Sequence, residues 1–144
     1  MTDAHFRNLE RMFRQAPINE DTEATVSIEA GRAELVLPVE SSMFHPLGAV
    51  HGAIYFKALD DAAFFAANSL VEDVFLLTTD FNTYLERPVS AGELRAEGEV
   101  LNDNPNQLIA GAVAYDDADN EVARGTGTFH RSDMPLTEAP GYEA

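Results

Sequence analysis

No cysteine occurs in the 144 residues, which removes disulfides, thiolate nucleophiles and cysteine-based metal sites together. Lysine is almost as scarce, with Lys57 the only one. Nine basic residues stand against 25 acidic ones, a formal net charge of -16. No group of arginines is denser than Arg7, Arg11 and Arg14. Nucleic acid is therefore excluded as a partner, because phosphate binding needs a basic footprint. The same charge repels an acidic carrier protein. Scarce lysine with abundant carboxylate fits a salty habitat and a GC-rich coding bias equally, and bears on neither fold nor chemistry. The four histidines (His5, His45, His51 and His130) are scattered rather than grouped at ligand spacing, so neither a metal nor another cofactor is expected. No stretch approaches the ~20 apolar residues of a membrane span. Acids and bases also interrupt the first fifteen residues, which leaves no signal-peptide core. The expectation is a soluble, cytoplasmic protein without a membrane partner.

What is present fits one domain over residues 1–144. A hydrophobic share of 45% is enough for a core and argues against disorder. Phe6, Leu9, Met12 and Phe13 recur at helical spacing, so a short amphipathic helix is predicted over about 2–15, capped by Thr2 or Asp3 and ended by Pro17. Its expected role is to cover an edge. From Ala24 to Val39 the period changes to two around Gly31, which reads as a hairpin. Residues 40–50 hold Pro46 and Gly48 and read as a loop. The next segment, about 51–69, is rich in alanine and carries only Lys57, Asp60 and Asp61 as ionisable groups after His51. A helix apolar on most faces is a buried one. Four β-like runs follow, Val74–Leu85, Glu93–Leu101, Leu108–Tyr115 and Glu121–His130, separated by turn-rich segments. Hairpin-length connections between them predict an antiparallel meander. Two prolines, a glycine and acids predict a loosely ordered tail over about 133–144. The fold class is α+β, an antiparallel sheet wrapped around a long central helix.

On a helical wheel Asp60 shares its stripe with Ala53, Phe56, Lys57, Phe64 and Ala67. A carboxylate in such surroundings is costly unless paired. Lys57 lies one turn before Asp61, and one lysine cannot satisfy two buried aspartates. Either Lys57 takes one while the other accepts backbone hydrogen bonds, or the unpaired one has a raised pKa and a function. Small residues around Gly52 open the N-terminus of the same helix, where free N–H groups and the helix dipole favour developing negative charge. Capping and close packing explain a His-Gly pair there equally well.

Those residues resemble a known family. His45-Pro-Leu-Gly-Ala-Val-His51-Gly52-Ala53, with Leu59-Asp60 completing the spacing nine residues after His51, resembles the helix-start motif of phenylacetate-pathway (PaaI-like) hotdog thioesterases, in the 4-hydroxybenzoyl-CoA thioesterase superfamily. That motif reads roughly Asn, five residues, His-Gly-Gly, then Leu-x-Asp. The run from Thr78 to Arg87-Pro88, then Gly92-Glu93 and Gly125 to Phe129, also resembles it, so that about 33–131 are covered. The resemblance implies a hotdog fold and hydrolysis of an acyl-CoA. Asp60 would attack the thioester or activate water, and the Gly52 N–H would polarise its carbonyl. His51 would shape the turn and hydrogen-bond near the leaving sulfur, and Thr78 would hold the water. It further implies a site between two subunits, hence a homodimer or a tetramer of two dimers. Two positions depart from the motif: His45 stands where the family has Asn, and Ala53 where it has a second Gly. Both are candidate substrate-binding positions, together with Arg87, one of four arginines (Arg87, Arg95, Arg124 and Arg131) available for the phosphates of CoA. A hotdog dehydratase or hydratase acting on hydroxyacyl thioesters, and a non-catalytic acyl-binding module, fit the same residues. Phe56, Phe64, Phe65 and Tyr84 suit an aromatic or medium acyl chain and suit plain core equally.

Overall fold

A computed structural model describes residues 2–143. Helix α1 (Asp3–Gln15) begins where the Thr2 hydroxyl accepts the His5 N–H, and one 3-10 turn at Pro17–Asn19 follows it. Strands β1 (Thr25–Glu29) and β2 (Arg32–Pro38) form the expected hairpin, with Gly31 at φ 73° in its turn. Helix α2 (Gly52–Asn68) is the central helix, and His51 is its N-cap. Strands β3 (Val74–Leu85), β4 (Glu93–Asp103), β5 (Gln107–Tyr115) and β6 (Glu121–Pro135) complete a six-stranded sheet in which every pairing is antiparallel.

The sheet wraps α2 because α2 is thin on the side that faces it. Ala58, Ala62, Ala63, Ala66 and Ala67 are buried there. Opposite them β4 carries Gly98, where any Cβ would collide with the backbone of Ala62 and Ala63. Small residues on both surfaces bring backbone against backbone, and the larger side chains Leu35, Leu94, Leu108 and Phe129 fill the core around that contact. None of the helices is long and apolar enough to cross a membrane among the described residues.

Three expectations change. The last four strands are not a meander: the sheet order is β1-β2-β4-β5-β6-β3, so β3 lies beside β6 at the edge. The connection from Glu86 to Gly92 is a crossover rather than a hairpin. Its Glu86 and Arg87 N–H groups donate to Val122, Val89 accepts from Val50, and Gly92 accepts from Val39. Three strand spacings of ~4.8 Å separate β3 from β4, within the ~23 Å that this many extended residues span. The hairpin edge of β2 then occupies the side of β4 that a meander gives to β3.

The tail is ordered. Leu136 is fully buried, and Tyr142 packs against α1 with its hydroxyl 2.7 Å from Nδ1 of His5. Asn8 and Arg11 donate to the carbonyls of Glu143 and Gly141. Accordingly His5 is 3% exposed, with Nε2 2.9 Å from the Asn68 carbonyl at the end of α2. A lone aromatic and a lone histidine carry no periodicity that would foretell this contact.

Candidate active site

One face of α2 looks toward β3 instead of the alanine-lined interior. Phe56 meets Phe81 edge-on with centroids 5.4 Å apart, and Phe64 meets Phe75 at 5.1 Å. Between these aromatic pairs Asp60 accepts a hydrogen bond from the Thr78 hydroxyl at 2.9 Å. The aromatic neighbours therefore do to Asp60 what the helical wheel predicts. Burial holds its carboxyl above the ordinary aspartate range, the Thr78 bond pulls it back, the Asp61 charge raises it again and Lys57 lowers it.

Lys57 is committed elsewhere. Its Nζ lies 2.6 Å from Asp61 and 2.7 Å from Oδ1 of Asn19, whose amide in turn donates to the Phe13 carbonyl. Burial raises the Asp61 carboxyl too, against the lowering effect of Lys57. Of the two aspartates, Asp61 thus has the cation and Asp60 has a neutral hydroxyl. A carboxylate paired only with a hydroxyl keeps more of its basicity than one held by an ammonium.

The other predicted residues gather at the start of α2. The His51 Nδ1 accepts the Ala53 N–H at 2.9 Å, and the His51 N–H donates to Met43. Acceptance at Nδ1 places the neutral imidazole's proton on Nε2, the donor of an exposed side chain. Ala53 is therefore tolerated because it lies in regular helix, with its N–H already capped. The Gly52 N–H has no hydrogen-bond partner among the described residues. A side chain at Gly52 would press on Leu85 at the end of β3. His45 stands in the loop before the helix, where its Nδ1 accepts the Leu47 N–H and its own N–H donates to Ala49. Arg87 is exposed just after β3, and its carbonyl accepts the Tyr55 hydroxyl. Arg95, Arg124 and Arg131 are each held in salt bridges, to Glu97 and Asp119, Glu121, and Asp73 respectively. Arg87 has none among the described residues.

Two clusters therefore exist on one helix. Asp60 and Thr78 form the first, and His45, His51, Gly52, Ala53 and Arg87 the second. Gly52 and Asp60 are eight residues apart, ~12 Å along the axis, and His51 and Asp60 point to opposite sides. A single chain does not bring them to one reacting atom.

Asp60 and Thr78 also border a cavity of about 340 Å³ between α1, α2 and β3. No pattern in the sequence indicates that α1 and the turn after it, through Met12, Phe13 and Ile18, reach this site, or that Asn19 joins the Lys57 pair. The amphipathic stripe of α1 foretold its burial but not its neighbour. Phe65 is core, whereas Tyr84 is 62% exposed and lies with Glu97 and Arg124 around a separate hollow of about 380 Å³, which neither Asp60 nor the start of α2 borders.

A family model described as the thioesterase superfamily matches residues 47–123, from the loop before α2 into β6. The E. coli PaaI protein, from the phenylacetic acid degradation operon, has the same fold with a TM-score of 0.83 at 20% identity, over 92% of this chain and 96% of its own. A thioesterase family protein from Silicibacter pomeroyi gives a TM-score of 0.80 at 25% identity, over 88% of this chain and 96% of its own. A candidate esterase of Saccharolobus solfataricus is 24% identical over 106 residues, which are 73% of this chain and 75% of that protein.

Proposed function

This chain belongs to the thioesterase superfamily, a hotdog-fold family of thioester hydrolases, and from that premise we propose that it hydrolyses an acyl-CoA at a site shared by two copies of itself. One observation carries the reading. Asp60 is a desolvated carboxylate whose one side-chain hydrogen-bond partner among the described residues is Thr78, while the nearby lysine serves Asp61.

In the proposed reaction a water held by Asp60 and Thr78 attacks the thioester carbonyl, and Asp60 takes its proton. The carbonyl oxygen becomes an oxyanion, stabilised by the Gly52 N–H and the helix dipole of the second copy. Collapse of this intermediate breaks the carbon–sulfur bond. The proton on Asp60 returns to the departing sulfur, giving free acid and CoA thiol. Attack by the Asp60 carboxylate itself, through an anhydride that water then opens, uses the same groups. His51, with Nε2–H free, donates near the sulfur. His45 takes the place of the family's Asn as a second loop donor, and Ala53 keeps the helix start narrow. Arg87, unpaired among the described residues and beside Tyr55 of the same helix start, contacts the phosphates of CoA. The ~12 Å separation and the one-sided pairing of β3 support a homodimer joined along that edge, or a tetramer of two such dimers.

Thiol release from a panel of acyl-CoAs, with wild type beside Asp60→Asn, tests this. The expected loss is at least ~100-fold. Release unaffected by Asp60→Asn rejects the mechanism. An enoyl product without thiol identifies a dehydratase instead, and binding without either product identifies an acyl-binding module.

A further inference from the structure

Helix α1 does more than cover an edge of the sheet. Met12 and Ala16 near its C-terminal end, and Ile18 in the turn that follows, form one wall of the cavity beside Asp60. Phe64, Phe75 and Leu77 form the other. Its volume of about 340 Å³ lies in the range of small-molecule sites. One end is the Asp60–Thr78 pair. The rim is apolar yet open, since Ile18 is 70% exposed and Leu77 44%. A compact ring held in a slot would leave no need for such a rim. Leu77 lies on β3, the edge at which the second copy is proposed to join, so Ile18 in the turn after α1 is the rim residue left in water. An extended apolar chain anchored at Asp60 and running out past Ile18 covers it.

We propose that this cavity binds a linear aliphatic acyl chain, and that Ala16 and Ile18 determine how much of the chain is held. The inference rests on the thioesterase reading, because Asp60 is the end at which the carbonyl must lie. It adds the substrate class and makes α1 with its following turn the element that sets chain-length preference.

The test uses Ala16→Phe, which narrows the cavity, and Ile18→Asp, which puts a charge at its rim. Ala16 has an extended backbone at φ -65° and ψ 131° that phenylalanine adopts without strain, and Ile18 is at the surface. Butyl, octyl and dodecyl thioethers of CoA, which cannot be hydrolysed, are titrated calorimetrically into each protein. In wild type the affinity is expected to rise about fourfold per added methylene until the cavity is filled. In both variants the butyl thioether should bind as in wild type, and the gain from longer chains should be lost. Wild-type affinity independent of chain length, or variants that keep the wild-type gain, overturns the proposal. Thiol release from butanoyl-CoA and dodecanoyl-CoA separates the two readings. Chain-dependent binding without release leaves the acyl site standing and removes the hydrolase, whereas release with flat binding does the reverse.

Discussion

If Asp60 and Gly52 act together only across two chains, inactive variants of each should restore one another. Gly52→Pro is the suited partner for Asp60→Asn. Gly52 is the first residue of α2, where proline is tolerated, and His51 before it has the extended backbone (φ -64°, ψ 143°) that proline requires. The substitution therefore removes one N–H and keeps the helix start, with only the end of the Leu85 side chain having to move away from the added Cβ. Each variant alone should lose about 100-fold or more in kcat. In a sample assembled from equal amounts of both, half the dimers are mixed, and each mixed dimer has one site with Asp60 and Gly52 both intact. The expected activity is about a quarter of wild type, far above either parent. The assay is thiol release after co-expression with two affinity tags, with the doubly tagged dimer isolated as a control that should reach about half of wild type. Recovery no greater than the average of the parents refutes the shared site, as does a Gly52→Pro protein with wild-type turnover.

The raised pKa of Asp60 has a definite sign in two experiments: kcat/KM should fall on the acid side through a pKa above the usual aspartate value, because the base must be ionised. The folded state favours protonated Asp60, so Asp60→Asn should melt above wild type at neutral pH, with the gap closing as pH falls through the folded pKa; a variant that melts lower at neutral pH contradicts this. Gly98→Ala should destabilise by about 1–3 kcal/mol, since its methyl meets the Ala62 backbone; denaturant titration that shows no loss would place β4 farther from α2 than described. Tyr142→Phe should cost about 1 kcal/mol and speed amide exchange in α1 more than in β4, so uniform exchange would mean that the His5 contact does not secure the helix.

The central helix and its carboxylate were legible because both are written in local pattern. A run of alanines without charge announces burial, and Asp60 at helical spacing from Phe56 and Phe64 announces desolvation whatever surrounds it. The allocation of Lys57 to Asp61 follows from the i, i+4 geometry but needed Asn19 to fix it, and Asn19 is 38 residues away. Sheet order was illegible for a different reason. The strands themselves came out near their true limits except β6, which runs past His130 to Pro135, but which edge accepts β3 depends on a crossover whose hydrogen bonds run to β6 and to the segment before α2. The cavity beside Asp60 needed the docking of α1, and no periodicity in α1 says which helix it will meet.

The bonds from His5, Asn8 and Arg11 to residues 141–143 have a consequence for the order in which the protein is made. A ribosome delivers α1 before the strands of the sheet and Tyr142 after them. Until then the helix that walls the Asp60 cavity has its contacts with β1 and α2 but lacks its fastening. During synthesis this wall of the Asp60 cavity therefore emerges before the sheet and is fixed only after it, and a nascent chain stalled before residue 141 should hold a formed sheet around α2 with that wall still free to move.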